Sequence, residues 1–418
     1  MSDDILLVKL ERRRWITDGP LDVIVARYVQ YLREQRYSSL TMQGYLNAIA
    51  HFGRWLTIKG WGIEDIDDEL IEYFVRFHLP HCKCPAPRSR DAYHVRAGLR
   101  HLRKVLKQEG LVIETPITPI EKELEDFKRF LLDVKGIALN TCKSRLAVVR
   151  NFLLKIFEER QIEIDITKLR IEDVDAFIME YAKRWKPSSL GIVRSSLRSY
   201  LRFRAMQGDP TDSLVASLPN IAPYWNRGSL PSFLTDAEVK LFLQSFDRSN
   251  STGLRDYAVA RCLIDLGLRS HEVAQLSLES FDWRNGTITI SRSKSRRIYK
   301  LPLPQQTGEA IVNYLRKGRP QSNSRVLFAR HMAPYDKPLT KNAISGAIVQ
   351  AFVRCEMKFR GTHILRRTLA VRLQRAGVSL KEIADVLRHK DLSTTSVYTR
   401  VDLDGLRAVA LPWPGRQS

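Results

Sequence analysis

The stretch Thr362–Arg400, THILRRTLAVRLQRAGVSLKEIADVLRHKDLSTTSVYTR, holds the side chains from which the rest of the chain can be interpreted. His363 and Arg366 are three residues apart, a spacing that places both on one face of a helix. His389 and Tyr398 follow later in the stretch. Taken alone, the tyrosine is typical of a half-buried packing residue. Taken together, a hydroxyl nucleophile, arginine forks and imidazole donors suit phosphoryl transfer, which depends on positioning and charge stabilisation.

The composition indicates a large basic protein. Its 418 residues exceed one ordinary hydrophobic core, so we expect two or three domains. There are 68 lysines and arginines against 46 acidic residues, which gives a formal net charge of +22. Such an excess predicts a polyanionic partner, with nucleic acid as the main candidate. An anionic membrane surface is the rarer alternative, and charge that only maintains solubility is a third.

The chain shows no sign of membrane insertion or secretion. No run approaches the ~20 apolar residues of a membrane span. The first residues, MSDDILLVKLERRRW, begin with acidic side chains, unlike a secretory signal. The five cysteines are scattered and odd in number, as reduced thiols are. We therefore expect a cytoplasmic protein without a membrane partner, associated with the bacterial nucleoid when bound to DNA.

The segment HLPHCKCP groups His78, His81, Cys82 and Cys84 within a few residues. Zinc ligands normally come as two separated pairs. This tight spacing favours a loop with incidental thiols, so we expect no bound metal.

The first half of the chain is predicted to contain two helical units. Residues 1–110 show four segments with helical spacing of apolar side chains. A proline-containing linker covers 111–120, and the same order of helices recurs over 121–209. Matches such as Thr41 with Thr141 indicate a duplicated unit. The alternative is that any two amphipathic runs can be aligned somewhere.

The last predicted helix of each unit carries closely spaced arginines. A solvated helix face is the usual explanation for a charge run. Acidic residues barely alternate with these arginines, so contact with phosphates is the stronger interpretation. The candidate DNA-binding residues are Arg96, Arg100, Arg103, Arg194, Arg198 and Arg202.

A second proline-containing linker, 210–232, leads to a third domain over 233–418. Thr235 and Glu238 have the spacing of a helix-capping box. The segment GTITISRSKSRRIYKLPLP alternates and is rich in β-branched residues, which predicts strands around a basic turn. The expected fold class is mainly α, with a small β-hairpin or sheet in the third domain.

The third domain resembles the catalytic domain of the tyrosine recombinases, the phage-integrase family that includes Xer, Cre and lambda-type integrases. Gly267–Glu272 matches the family's G-L-R-x-x-E/D turn. Lys294 lies eight residues before Pro302, as the family's hairpin lysine precedes its proline. His363 and Arg366 form the H-x-x-R motif. The later histidine and the nucleophile correspond to His389 and Tyr398.

The resemblance implies how the phosphate is held and attacked. Arg269 and Arg366 bind the non-bridging oxygens of the scissile phosphate through charge-assisted hydrogen bonds. Tyr398 attacks the phosphorus, which gives a 3′-phosphotyrosyl link and releases a 5′-hydroxyl. The covalent link conserves the energy of the phosphodiester, so neither a metal nor another cofactor is expected.

The resemblance also assigns the supporting groups. Lys294 is the general acid for the leaving oxygen, and His363 assists proton transfer. His389 donates to the phosphate, and Glu272 orients the site. The sequence departs from the family at Arg388, where glycine is common, which affects the local loop shape.

These resemblances predict a site-specific DNA recombinase or integrase that serves a mobile genetic element, including by transposition. The unit over 121–209 resembles the family's core-binding (SAM-like) domain. The partner is double-stranded DNA, in a homotetramer on synapsed DNA or in an assembly with related recombinases. One alternative is a nicking and resealing enzyme like type IB topoisomerases. The other is a non-enzymatic architectural DNA-binding protein.

Overall fold

The computed structural model describes residues 10–84, 91–111, 118–158, 165–184, 187–219, 232–291, 298–358, 361–389 and 395. Helices dominate these ranges, and the strands form one small antiparallel sheet, so the predicted fold class is confirmed. The chain forms two compact units, Met1–Ile113 with Leu230–Ser418, and Glu114–Ser229. The domain boundaries drawn from the sequence stay predictions. No helix in the described ranges is long and apolar enough to cross a membrane.

The N-terminal region is a helical bundle with its own hydrophobic core. Its helices are α1 Leu10–Thr17, α2 Asp22–Glu34, α3 Ser39–Lys59, α4 Asp68–Tyr73, α5 Leu79–His81 and α6 Ala92–Gln108. Asp67 accepts a hydrogen bond from the N–H of Leu70 at 2.6 Å, which fixes the start of α4. A π-helical turn, Phe74–His78, joins α4 to α5. Buried aromatic rings, including Tyr28 and Phe52, fill the bundle.

The second unit is also helical and has a separate core. Its helices are α7 Pro119–Arg129, α8 Leu139–Leu153, α9 Ile171–Arg184, α10 Pro187–Ala205 and α11 Asp212–Ser217. Gly110 follows α6 with a φ of 68°, and Gly208 follows α10 with a φ of 103°. Both angles lie in the left-handed region, which glycine adopts readily at helix ends. The common origin of the two units stays a prediction.

The C-terminal region contains the sheet and a third core. Its elements are α12 Asp236–Gln244, α13 Ser251–Asp265, α14 Ser270–Ala274, β1 Phe281–Asp282, β2 Thr287–Ser291, β3 Ile298–Pro302, α15 Gln305–Asn313, α16 Lys341–Arg354, α17 His363–Arg375 and α18 Leu380–Leu387. The capping box of Thr235 with Glu238 at the start of α12 is confirmed. The sheet order is β1-β2-β3, antiparallel throughout. The predicted strands are confirmed. The basic turn with Lys294 lies outside the described residues, as does the segment that carries Tyr398.

Candidate active site

The turn between α13 and α14 is the centre of the candidate site. Gly267 has a φ of 56°, in the left-handed region. A Cβ at this position would lie 2.8 Å from a methyl carbon of Leu387 and 2.9 Å from one of Leu369. Both the backbone angle and the packing therefore require glycine. The turn brings Arg269 to the start of α14, close to α17 and α18.

Glu272 is a buried carboxylate that binds two guanidinium groups. Its side chain accepts a hydrogen bond from Arg269 Nη1 at 2.9 Å and one from Arg388 Nη2 at 3.1 Å. It also accepts the backbone N–H of Arg269 at 2.9 Å. Burial opposes the charged form, but Arg388 and then Arg269 outweigh it, so the pKa of Glu272 is lowered. An ionised Glu272 therefore holds the Arg269 side chain and backbone N–H, and its supporting role in a reaction stays a prediction.

Arg388 is a positioning residue to which the sequence analysis gave no role. It ends α18 with φ 55° and ψ 45°, a left-handed conformation that costs an arginine about 1 kcal/mol and glycine almost nothing. This angle explains why glycine suits the position in the family. The Arg388 guanidinium is 1% exposed and also donates to the Gly267 carbonyl at 3.1 Å and the Val386 carbonyl at 2.8 Å. It thereby joins the end of α18 to the Gly267 turn and to Glu272.

Arg366 lies on α17 and is also buried. Its two terminal nitrogens donate to the carbonyl oxygens of Gly267 and Leu387. The predicted pair of arginines, Arg269 and Arg366, is therefore held on either side of one turn. The Gly267 carbonyl could not be identified from sequence as a partner of Arg366, because the two residues are 99 positions apart along the chain.

His363 begins α17 and lies at the surface of the same cluster. Burial lowers the pKa of its imidazole, and the charges of Arg367, Arg366 and Arg269 lower it further. The ring is therefore neutral at pH 7. The preceding Thr362 shares a hydrogen bond of 2.8 Å between hydroxyl oxygens with Ser270, which ties the start of α17 to α14.

His389 follows Arg388 and contacts a buried hydroxyl. Its Nδ1 lies 2.7 Å from Oγ1 of Thr395, a side chain with no exposed surface. This contact fixes the ring orientation, which nothing in the sequence indicated. Thr395 is three residues before Tyr398, so the described structure reaches close to the predicted nucleophile along the chain. The positions of Tyr398 and Lys294 lie outside the described residues.

The cluster has a clear chemical preference. The described part of the cluster includes the guanidinium groups of Arg269, Arg366, Arg367 and Arg388, the carboxylate of Glu272 and the imidazoles of His363 and His389. The excess of positive charge favours an anion, and the planar guanidinium forks match the oxygens of a phosphate.

A second basic site is a groove in the unit formed by residues 114–229. The groove contains Lys135, Arg145, Arg194, Arg198 and Arg202. Burial, then Arg194 and Arg202, lower the pKa of Arg198. In the described ranges no carboxylate forms an ion pair with Arg194, Arg198 or Arg202. The three predicted arginines of α10 therefore form a like-charged cluster.

The three predicted arginines of α6 have different surroundings. Arg96 donates twice to the Glu72 carboxylate, at 2.7 and 3.0 Å, and Arg100 lies 3.8 Å from it. Arg103 pairs with Asp68. The hydrogen bond from Arg96 is the main cause of the lowered pKa of Glu72. Both acids lie on α4, so a count of acids along α6 missed them. DNA contact by these three arginines stays a prediction, and their ion pairs weigh against it.

Comparisons with known proteins agree with this architecture. The sequence model of the phage integrase family matches residues 232–404. The protein named "Putative integrase/recombinase y4rA" from Sinorhizobium fredii is 34% identical over 405 residues, which covers 95% of this chain and 96% of the relative.

Solved structures share the fold at lower identity. The XerH site-specific recombinase, bound to a palindromic difH substrate, is 18% identical with a TM-score of 0.53, covering 71% of this chain and 97% of its own. The integrase of the transposon Tn1549, in complex with a circular intermediate DNA, is 18% identical with a TM-score of 0.51, covering 68% of this chain and 98% of its own. These two likenesses establish the fold alone.

Proposed function

This chain belongs to the phage integrase family of tyrosine recombinases, and from that membership we propose that it is a site-specific recombinase that cuts and rejoins double-stranded DNA. The observation that carries the proposal is the cluster around the Gly267 turn, where two buried arginines, an ionised glutamate and a neutral histidine meet. The proposed reaction passes through a 3′-phosphotyrosyl intermediate on Tyr398.

The arginines act on the phosphate. Arg269 and Arg366 bind the two non-bridging oxygens and stabilise the negative charge that grows as the phosphorus becomes pentacoordinate. Glu272 and Arg388 hold Arg269 in place before the substrate arrives. Each lost charge-assisted contact of this type lowers the rate by about 10²–10³-fold.

The proton transfers follow from the roles that the family resemblance assigns, and the lowered pKa of His363 is compatible with them. The Tyr398 oxygen forms a bond to phosphorus while the bond to the 5′ oxygen breaks, and Lys294 gives a proton to that leaving oxygen. A neutral His363 accepts the proton that Tyr398 loses. In the rejoining step a 5′-hydroxyl attacks the phosphotyrosyl phosphorus, and the same protons return.

The groove of residues 114–229 supports binding to the DNA backbone. Its arginines carry no competing carboxylate in the described structure, so bound phosphates would replace mobile counterions. Since the unit over 121–209 also resembles the core-binding domain, we assign phosphate contacts to Arg194, Arg198 and Arg202. The protein is expected to act as a tetramer on synapsed DNA or with related recombinases, in the cytoplasm and on the nucleoid.

A role in a mobile genetic element is the finer part of the proposal. The relative from Sinorhizobium fredii is named an integrase/recombinase, and the Tn1549 protein is a transposon integrase. Both names support integration or transposition as the biological setting.

Covalent capture tests the proposal. Wild-type protein is incubated with nicked duplex fragments from its own genomic neighbourhood, and denaturant-resistant protein–DNA adducts are counted. Tyr398→Phe should form none. The control Tyr93→Phe, at a residue that is 83% exposed in the N-terminal region, should match wild type.

Other outcomes would identify the alternatives. Relaxation of supercoiled DNA without joined recombinant products would favour a topoisomerase-like enzyme. Tight, salt-sensitive binding without an adduct on any fragment would favour an architectural DNA-binding protein.

A further inference from the structure

Four metal-binding side chains meet in the N-terminal region, away from the candidate active site. They are His51 from α3, His78 at the end of the π-helical turn, and Cys82 and Cys84 after α5. One ligand atom from each residue lies within 4.8 Å of the other three. We propose that these residues bind a structural zinc ion.

Two of the distances between the ligand atoms match a tetrahedral site. The Nε2 atoms of His51 and His78 are 3.3 Å apart, and Sγ of Cys84 is 3.7 Å from Nε2 of His78. With Zn–N bonds of about 2.0–2.1 Å and Zn–S bonds of about 2.3 Å, tetrahedral geometry places two nitrogens about 3.4 Å apart. The same geometry places a nitrogen and a sulfur about 3.6 Å apart. Two independent distances therefore fit one central ion.

The chemistry of the set selects zinc. Two thiolates and two neutral imidazoles balance the charge of a divalent ion, so the occupied site carries no net charge into the core. Binding releases the two thiol protons to solvent. A closed set of two sulfurs and two nitrogens is typical of structural zinc, since a catalytic zinc keeps one position open.

The surroundings favour a permanent ion. His51 is 2% exposed, and Cys82 and Cys84 are 6% and 9% exposed. The His51 ring centroid is 5.2 Å from that of Phe74, and the His78 ring is 5.7 Å from Trp55. Aromatic rings thus pack against the two histidine ligands, and burial shields the two cysteines from water, which slows ligand exchange.

The sequence argument against a metal considered His81 together with His78 and did not include His51. His81 is exposed, whereas His51, 27 residues before His78, supplies a ligand from another helix. A hydrogen bond between the buried His51 and the half-buried His78 is the competing explanation for the short nitrogen–nitrogen distance. That explanation does not account for two thiols converging on the same point.

Zinc at this position would fasten the chain after α5 to α3. An ion that binds the folded state in preference to the unfolded chain stabilises the fold. The site therefore stabilises the N-terminal bundle, and its occupancy does not depend on the proposed DNA chemistry.

Metal content tests the site directly. Full-length protein is reduced, stripped, reconstituted with zinc and desalted before metal analysis. Wild type should retain about one zinc ion per chain, and Cys84→Ser and His51→Gln should fall below about a tenth of that. The matched controls are His81→Gln, in the same segment, and Cys142→Ser, a buried cysteine of the other unit. Both should retain wild-type zinc.

A second measurement separates lost binding from lost folding. Cobalt added to stripped wild-type protein should give the visible absorption of a tetrahedral site with thiolate ligands, and zinc should displace it. Stripped wild type should also unfold at a lower temperature than the zinc-loaded form. The proposal would be overturned if wild type took up no zinc although titration in denaturant showed all five thiols to be reduced. Equal zinc loss in His81→Gln would do so as well.

Discussion

The two helical regions of the chain each carry closely spaced arginines on one helix but differ in the surroundings of those arginines. On α6, Arg96, Arg100 and Arg103 face the carboxylates of α4. Helix α10 lines a groove with Arg194, Arg198 and Arg202, and the described structure contains no acidic partner for these three arginines. The same sequence pattern therefore gives a partly neutralised surface in one region and a cationic one in the other. Whether a run of arginines on a helix is available to bind phosphates therefore depends on the acidic side chains of the neighbouring helix.

The largest expected effect is on DNA affinity. Changing Arg194, Arg198 and Arg202 together to glutamine should make the plot of log affinity against log salt shallower by about 2.7, because each phosphate contact contributes about 0.9. At 0.1 M salt this corresponds to a loss of roughly several hundred-fold. Titrations of a labelled duplex at several salt concentrations measure the slope.

The matched control for that experiment is the other region. Glutamines at Arg96, Arg100 and Arg103 should leave the slope almost unchanged, because those guanidinium groups already have partners. Equal salt slopes for the two triple variants would show that the arginines of α6 and α10 contribute equally to DNA binding.

The next effect compares buried and exposed ion pairs. Glu272→Gln leaves the buried Arg388 without its carboxylate and should lower the free energy of unfolding by about 3 kcal/mol. Glu72→Gln breaks pairs at a carboxylate whose side chain is 32% exposed, and should cost less than about 1 kcal/mol. Denaturant titration of both variants gives the two values. Similar losses would show that burial does not set the cost.

A smaller effect is expected when one carboxylate of α4 is removed, because the arginines of α6 would then resemble those of α10. Glu72→Gln frees Arg96 and Arg100 for phosphates, so the salt slope of DNA binding should steepen by about 1 to 2. The control Glu69→Gln changes a neighbouring acid of α4 for which the described structure shows no ion pair. An unchanged slope in Glu72→Gln would mean that α6 does not face DNA.

The sequence predicted much of the fold, because helical spacing, the Thr235 capping box and strand alternation are local patterns. It also predicted which residues of the candidate site to examine, through the spacing of motifs. It could not predict Arg388 as the partner of Glu272, since the two are 116 residues apart. For the same reason it paired His78 with His81, which is nearby in the chain, although His51 lies beside His78 in space. The missed features are contacts between elements, which no local pattern encodes.

The smallest expected effect extends the comparison to the candidate active site. Like Arg198 in the groove, His363 lies near arginines, and burial of the ring followed by these charges lowers the pKa of its imidazole from the usual 6.5. Protonation removes the neutral base that accepts the Tyr398 proton. The rate of covalent adduct formation should therefore fall on acidification, with its midpoint at a pH more acidic than the usual imidazole pKa of 6.5. Single-turnover rates on a nicked duplex give the profile, and His363→Gln should be slower throughout and lose this acid limb.

Arg367→Gln removes the largest charge effect on the ring, so its acid limb should shift towards higher pH. An unshifted limb would assign the titration to a different group.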